Sequence, residues 1–593
     1  MKKVFLFCAF AICSFFAFES LAVPAKPVKH VIKQPDGSSL EVYLRGDEFF
    51  HYYVTSDNIL LQQAENGYWK YAVISADSTL VTGKYVAKNR EVRSEEEQLY
   101  INGIDKASLT RVLSKEAVEN RSSKMSKIAP GGINKTFPTT GVVRGLVIMA
   151  QYQDVKFSEN AKLEVYKDVV NKTGYKGDVA SGSIRDYFID QSAGLFTPEF
   201  DVVGPVTLPK VRSFYGGGTM GNENVSQMII DACELADKEF DVDFSRYDCN
   251  GDGEVDFIYV IYAGYGEAQA GPVESVWPQS GTLKYKYYKK LDGMYLGTYS
   301  CSCELRGNEG ENLDGIGTFC HEFGHILGLP DIYDAGGSGF PGLDKWDVMD
   351  RGSYNDNSKT PAGYTAMDKY TVGWLTPTIL EDPQLNVSLE SLSSSNKAYF
   401  IVNPNNPNEY YTLENRQLES WDSKLPGHGL LICHVDYDLK LWNMNRVNSQ
   451  LATYEHVKLV AADGNDNSGE PGDVFPGTTQ KTMFTDNSRP AATWWKGGSV
   501  GKPIQNIREE NGVIYFDFIS TAAVERVQKG NVVVASADGM IMISNPDNLN
   551  IAIYSIEGRL VATSDAESVN IPANEGIYVV KAGDNALKVC VSQ

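Results

Sequence analysis

Histidine is scarce in this chain, with seven residues in 593. Positive charge is short too: Lys and Arg total 54 against 76 Asp and Glu, a formal net charge of −22. That balance excludes binding of nucleic acid or an anionic membrane by bulk electrostatic attraction, and it suits a soluble protein working outside the cell. No apolar run beyond the N-terminus is long enough to span a bilayer, so no transmembrane segment is expected in the mature chain. Tandem repeats and long low-complexity tracts are also missing, and the composition, 42% hydrophobic and 11% aromatic, is that of a globular protein. Two of the nine cysteines fall in the N-terminal apolar run. The remaining seven (Cys233, Cys249, Cys301, Cys303, Cys320, Cys433 and Cys590) are an odd number, which leaves at least one thiol unpaired and the pairing of the others undefined.

The chain opens with MKK, then the 15-residue run VFLFCAFAICSFFAF, then ESLAVPA. A short basic start, an apolar stretch and small residues describe a secretory signal peptide over 1–22, cut after Ala22, with Ala25 as the second choice. The protein is therefore expected to be secreted or held at the cell surface. The length implies several domains. Residues 23–135 read as short strands and turns that end in a polar linker, SKEAVENRSSKMSKIAPGGINKTFPTTG, where Arg121, Lys124 and Lys127 offer sites to a trypsin-like protease. Residues 136–375 mix buried-strand patterns (VVRGLVIMAQY, DFIYVIYAGYG) with helical ones (GSIRDYFIDQSAG and TPAGYTAMDKYTVGW, whose Pro361 fits a helix start). Strands and loops dominate 376–522, and 523–593 carries a strand about every eight to ten residues, as in a small β-sandwich.

Two of the seven histidines stand four apart in TFCHEFGHILGLPDIYD (318–334). Apolar residues at 316, 319, 323, 326 and 327 give a helical period, which puts His321 and His325 one turn apart on one face. Both imidazoles can then reach one ion, and Glu322 can reach water bound to it. Gly328 stops the helix, because glycine enters the left-handed region without penalty, and Leu329-Pro330 carries Asp331 back towards the ion. His321, His325 and Asp331 make the three-ligand set with one open position that catalytic zinc uses. Asp334 competes for the third place. With zinc to acidify a water and polarise a carbonyl, Glu322 would take the water's proton and pass it to a leaving amine. Tyr354 is a candidate oxyanion stabiliser.

HEFGHILGLPD followed by WDVMD resembles the metzincin arrangement, in which a methionine turn, here Met349, lies beneath the metal. More narrowly, GSIRDYFIDQSAG, DCNGDGEVDFIYVIYAG, HEFGHILGLPDIYD, WDVMDRGSYN, PAGYTAMDKYTVGW, LENRQ, LPGHGLLICHVD and GDVFPG resemble, in order, the immune inhibitor A-like secreted metalloproteases over roughly 141–520. The resemblance implies a zinc endopeptidase made as a zymogen, and it supports Asp331 as third ligand. The tail IYSIEGRLV…GIYVVKAGDNALKVCVS is similar to the C-terminal sorting domains of type IX secretion substrates, which implies contact with secretion machinery.

A second metal is suggested by Asp248, Asn250, Asp252, Glu254 (through its carbonyl) and Asp256, which match the first nine positions of a calcium loop; position 12 is Tyr259, so the usual bidentate glutamate is missing. His428 and His434 are read as structural, and Cys320 as a packed thiol or disulfide partner. The pro-segment has no cysteine, so a thiolate cannot block the zinc, and an aspartate or steric cover is left.

The expectation is thus a multidomain α+β protein: a metzincin-like catalytic domain, flanked by a β-rich pro-segment, a β-rich post-catalytic domain and a C-terminal Ig-like β-sandwich. Its function would be hydrolysis of protein or peptide substrates. The alternatives are a zinc amidase of narrow scope, or a non-catalytic surface-binding protein with structural zinc.

Overall fold

The computed structural model describes residues 23–591, less 27, 48–50, 76–78, 107, 110–111, 114–136, 217–223, 284–286, 335–339, 450–453, 466, 519–524 and 538. The expected signal peptide and the basic stretch with Arg121, Lys124 and Lys127 lie outside the described residues. Among the described residues no helix is long and apolar enough to cross a membrane.

The centre of the molecule is a five-stranded sheet in the order Gln279–Thr282, Thr298–Leu305, Ile258–Tyr265, Gly141–Gln151, Phe196–Thr207. Its inner pairs are parallel and only the edge strand Gln279–Thr282 runs antiparallel. A parallel sheet needs cover on both faces, and the near-continuous apolar runs of its strands supply two buried surfaces. The alternation is explicit: Leu146, Ile148, Ala150, Ile258, Val260 and Tyr262 join the core under helix Val225–Phe240. Val147, Met149, Phe257, Tyr259 and Ile261 join the core that holds helices Leu163–Asn171, Ile184–Gln191 and Gly317–Ile326. Helix Ile184–Gln191 starts at a reciprocal cap, Ser183 with Asp186, which satisfies two backbone donors at once.

The helix expected to begin near Pro361 starts later. It spans only Ala366–Thr371, because Thr365 and Asp368 form the same reciprocal cap. Upstream, Gly363 N is instead bonded to Asp422 (2.9 Å) and Tyr364 N to Gln191 (2.9 Å). Tertiary partners fix the chain at 363 and 364, and the cap at Thr365 sets the helix start.

The strands after 376 form a five-stranded sheet, Thr378–Ile379, Tyr399–Asn403, Asn406–Arg416, Gly429–Asp436 and Val457–Leu459, beside a three-stranded one. Period two again decides the packing. Leu431, Cys433 and Val435 face the core that holds helix Gly317–Ile326, whereas Leu430 and Ile432 face a second core with Phe484, Ile504 and Phe516. One apolar core therefore continues across position 375, where the sequence alone suggests a boundary. The N-terminal block folds as two three-stranded antiparallel sheets around Leu40, Val42, Leu61, Tyr71 and Ile101. The last segment forms two four-stranded sheets that share one core, among them Val534, Ile543, Ile553, Val580 and Val589.

Candidate metal centre

Helix Gly317–Ile326 is buried along its whole length, so its polar side chains must find partners inside the protein. His321 Nδ1 meets the Val348 carbonyl and His325 Nδ1 the Leu329 carbonyl, each at 2.8 Å. A carbonyl only accepts, so each Nδ1 carries the proton and each Nε2 presents a lone pair. Those two Nε2 atoms lie 3.1 Å apart. Gly328, at φ 99°, ends the helix, with its N–H on the His325 carbonyl (3.0 Å). The reversed chain brings Asp331 Oδ1 to 3.1 Å from His321 Nε2 and 3.3 Å from His325 Nε2.

Three electron-pair donors thus converge in a space with no hydrogen to share. Asp331 Oδ1 is buried and has no hydrogen-bond partner. A cation resolves this arrangement, and a zinc ion fits both the number and the type of donors. His321, His325 and Asp331 are the one set of three or more His, Cys, Asp or Glu among the described residues whose ligand atoms gather closely enough to hold a metal. Asp334, the competitor, is outside it.

Asp331 is clamped by a residue that no local pattern marks. Asn445 accepts from Asp331 N through Oδ1 (2.6 Å) and donates through Nδ2 to Asp331 Oδ2. It lies 114 positions away, at the end of a short helix in the β-rich region, so its role follows from tertiary packing alone. Met349 lies against the middle of helix Gly317–Ile326: a Cβ built on Gly324 would fall 2.5 Å from its Sδ, which explains why glycine stands between the two histidines. The Met349 carbonyl also accepts from Ile332 N (3.1 Å), fixing the chain just past Asp331.

Glu322 is fully buried, and its two oxygens are held from different directions. Oε2 accepts from Ser280 Oγ (2.8 Å), on the edge strand of the sheet, and Oε1 from Val23 N (3.0 Å), in the N-terminal segment. Burial pushes its carboxyl up to about 8, although the Ser280 bond pulls the other way. Ser280 was invisible to sequence reasoning, since a lone serine in WPQSGT carries no signal. The Tyr354 hydroxyl donates to the carbonyl of Pro24, the residue after Val23 (2.8 Å).

The expected calcium loop behaves differently. Asp248 Oδ1 accepts from Gly251 N (2.7 Å) and its Oδ2 from Gly253 N (2.9 Å); Asp252 accepts from Glu254 N (3.1 Å). Asp256 accepts from Cys249 N (2.6 Å) and Asn250 Nδ2 (2.9 Å). Burial, with Asp252 and Asp248 nearby, pushes the Asp256 carboxyl up to about 7. Of the remaining residues, His428 pairs with Glu509 (2.9 Å) and His434 with Glu409 (3.0 Å), away from the metal set. Cys320 is a buried thiol in the main core and not a disulfide partner; Cys233, Cys249, Cys303 and Cys433 are likewise not in disulfides.

Residues 147–375 match the sequence profile of the immune inhibitor A peptidase M6 catalytic domain. The chain is 29% identical to "Immune inhibitor A" of Bacillus thuringiensis subsp. alesti over 295 residues, which is 40% of this chain and 42% of that protein. It is 25% identical to "Pre-pro-metalloprotease PrtV" of Vibrio cholerae serotype O1 (strain M66-2) over 230 residues, 35% of this chain and 24% of that one. The alignments thus span less than half of each relative. The resemblance to the immune inhibitor A metalloproteases holds over 147–375, the stretch that carries His321, His325 and Asp331.

Proposed function

We propose that this protein is an exported zinc endopeptidase, related to the immune inhibitor A metalloproteases, that hydrolyses peptide bonds in proteins. The observation that carries the reading is the convergence of two imidazole lone pairs and an unbonded carboxylate oxygen, with Glu322 next to the first ligand on the same helix. His321, His325 and Asp331 would hold the ion. When bound, zinc makes a water more acidic and polarises a peptide carbonyl. The protein's own residues do the rest. Glu322 takes the water's proton and passes it to the leaving amine. Ser280 fixes the rotation of that carboxylate, and Asn445 fixes the angle of Asp331. Met349 under Gly324 supports the metzincin-like reading of the catalytic domain. Tyr354 is on hand to bind main-chain oxygen.

We place a signal peptide at 1–22, a pro-segment at 23–135, the catalytic domain at 136–375, a β-rich domain at 376–522 and a sorting domain of Ig-like type at 523–593. The pro-segment keeps the enzyme latent, and processing in 118–140 raises activity. Calcium in the Asp248–Asp256 loop and recognition of 523–593 by a secretion system complete the proposal. The test is a casein digest with the purified chain before and after trypsin nicking. Zinc-dependent cleavage that Glu322→Ala abolishes is expected; casein left whole while small amides are hydrolysed would replace the endopeptidase with an amidase.

A further inference from the structure

The turn at Met349 is tied to the helix that follows it by two acids. Asp347 and Asp368 are both fully buried. Asp347 Oδ1 accepts from Met349 N (3.0 Å), reaching over Val348, and the Asp347 carbonyl accepts from Asp350 N (3.1 Å) and Gly352 N (2.9 Å). Asp368, in helix Ala366–Thr371, accepts through Oδ2 from Thr365 N (3.0 Å) and Thr365 Oγ1 (2.6 Å). One oxygen of each acid is left over, Asp347 Oδ2 and Asp368 Oδ1, and no N–H or O–H of the protein reaches either. The two carboxyls meet each other instead. Among the described residues no third His, Cys, Asp or Glu gathers with them closely enough to hold a metal. Arg416 touches the same turn at the Trp346 carbonyl (3.0 Å), but its charge is paired with Glu414 (3.0 Å) and Asp422 (2.7 Å). The other groups that face the pair are acidic or neutral: Asp350, Glu414, Tyr187, Tyr364, Tyr410 and Cys433.

We propose that Asp347 and Asp368 are positioning residues that share one proton, and that the bond between them sets the direction of the Val348 carbonyl on which His321 depends. This rests on the reading of His321 as a metal ligand. Two buried carboxylates in contact cannot both be ionised, so one proton has to lie between them. Burial pushes both carboxyls up, but the Thr365 bonds and the bond from Asp347 pull Asp368 back down. The Asp368 charge pushes Asp347 further up, so the proton rests on Asp347 Oδ2, which donates to Asp368 Oδ1. The consequence reaches the metal centre through one peptide unit. With Oδ2 held by Asp368 and Oδ1 on Met349 N, the Asp347 side chain braces the turn at both ends of Val348. The Val348 carbonyl is then fixed where it accepts from His321 Nδ1 (2.8 Å), which keeps the Nε2 lone pair aimed inward. A second proton-free charge at this place would have no donor to meet it, and the turn would have to move.

The test uses the full chain and reads zinc affinity by competition with a chelator. Asp347→Asn keeps an N–H where the shared proton lies, so it should bind zinc as the wild type does at neutral pH. Asp347→Leu has nearly the same size but neither donor nor acceptor, and should bind about 10–100-fold more weakly, the range of outer-shell changes. Should Asp347→Leu fail to fold, the two asparagines decide. Asp368→Asn alone still gives Asp347 a donor, whereas the double variant sets one NH₂ group against the other and should lose at least tenfold where each single change loses little. Melting of the zinc-free chain reads the proton itself. A carboxyl raised by the fold contributes stability that is fully present below its unfolded value of about 3.9 and is lost as pH rises through the folded value. The wild-type melting temperature should therefore fall as pH rises, and Asp347→Asn, with no proton to lose, should remove part of that fall. A Leu variant that holds zinc as tightly as the wild type overturns the positioning role. An Asn variant as weak as Leu, or a double variant no worse than its parents, overturns the shared proton; in all three cases the peptidase stands. A wild-type chain that binds no zinc sinks the metal reading and this inference together.

Discussion

Two clusters of acidic and metal-type residues stand in this molecule, and they differ in how their lone pairs are used. In the loop Asp248–Asp256 the carboxylates of Asp248, Asp252 and Asp256 accept from backbone N–H groups and an amide of the same loop, so the loop holds itself in shape. In the centre at His321, His325 and Asp331 the hydrogen bonds run outward, to Val348, Leu329 and Asn445, and the inward-facing atoms have only one another. Partners on the outside and acceptors on the inside are what a ligand set looks like before its ion is counted. Residue type and spacing are equally suggestive in both places; the direction of the hydrogen bonds separates them.

The comparison can be broken most directly by exchange of ligands. Asp331→Ala or His325→Ala should reduce zinc, measured by atomic absorption on the purified chain, from about one ion per chain to near none, and casein cleavage should vanish with it. Asp252→Ala should leave the zinc in place; loss of zinc there would erase the distinction. Glu322→Gln comes next, with zinc retained and kcat lowered by roughly 10²–10⁴, a result that separates the proton carrier from the ligands. Asn445→Ala should weaken zinc affinity by about 10–100-fold, as outer-shell changes do, read by competition with a chelator; unchanged affinity would mean that Asp331 needs no clamp.

The smallest effect sharpens the other side of the comparison. The Asp256 carboxyl is pushed up to about 7 by burial, beside Asp252 and Asp248. A raised carboxyl contributes stability that is fully present below its unfolded value of about 3.9 and is lost as pH rises through the folded value. In a chelator such as EGTA, the melting temperature should therefore fall between about pH 4 and 7, and Asp256→Asn should flatten the fall. Millimolar calcium that reverses the slope in the wild-type chain, and not in the variant, would establish the loop as a cation site. A slope indifferent to calcium would leave it a self-bonded turn.

Much of the centre was legible because its logic is local. A helical period, two histidines at one-turn spacing, a glutamate between them and a glycine that permits the reversal all act within eleven residues, His321 to Asp331. The strand patterns of the central sheet were legible for the same reason, since alternation fixes which side chains enter which core. Where distant partners compete, local reading failed. Pro361 looked like a helix start, yet Asp422 and Gln191 hold the amides at 363 and 364 and delay the helix to Ala366.

The sequence by itself determined the ligand types, their spacing and the turn that returns Asp331, because backbone geometry and glycine's freedom act over a few residues. Only the tertiary structure decided who holds those groups. Ser280 comes from a sheet edge, Asn445 from 114 positions on, and Val23 from 299 positions before Glu322. Burial explains both facts. A buried carboxylate must be paired by whatever donors the fold brings against it, and which donors arrive is a property of packing that no local pattern encodes.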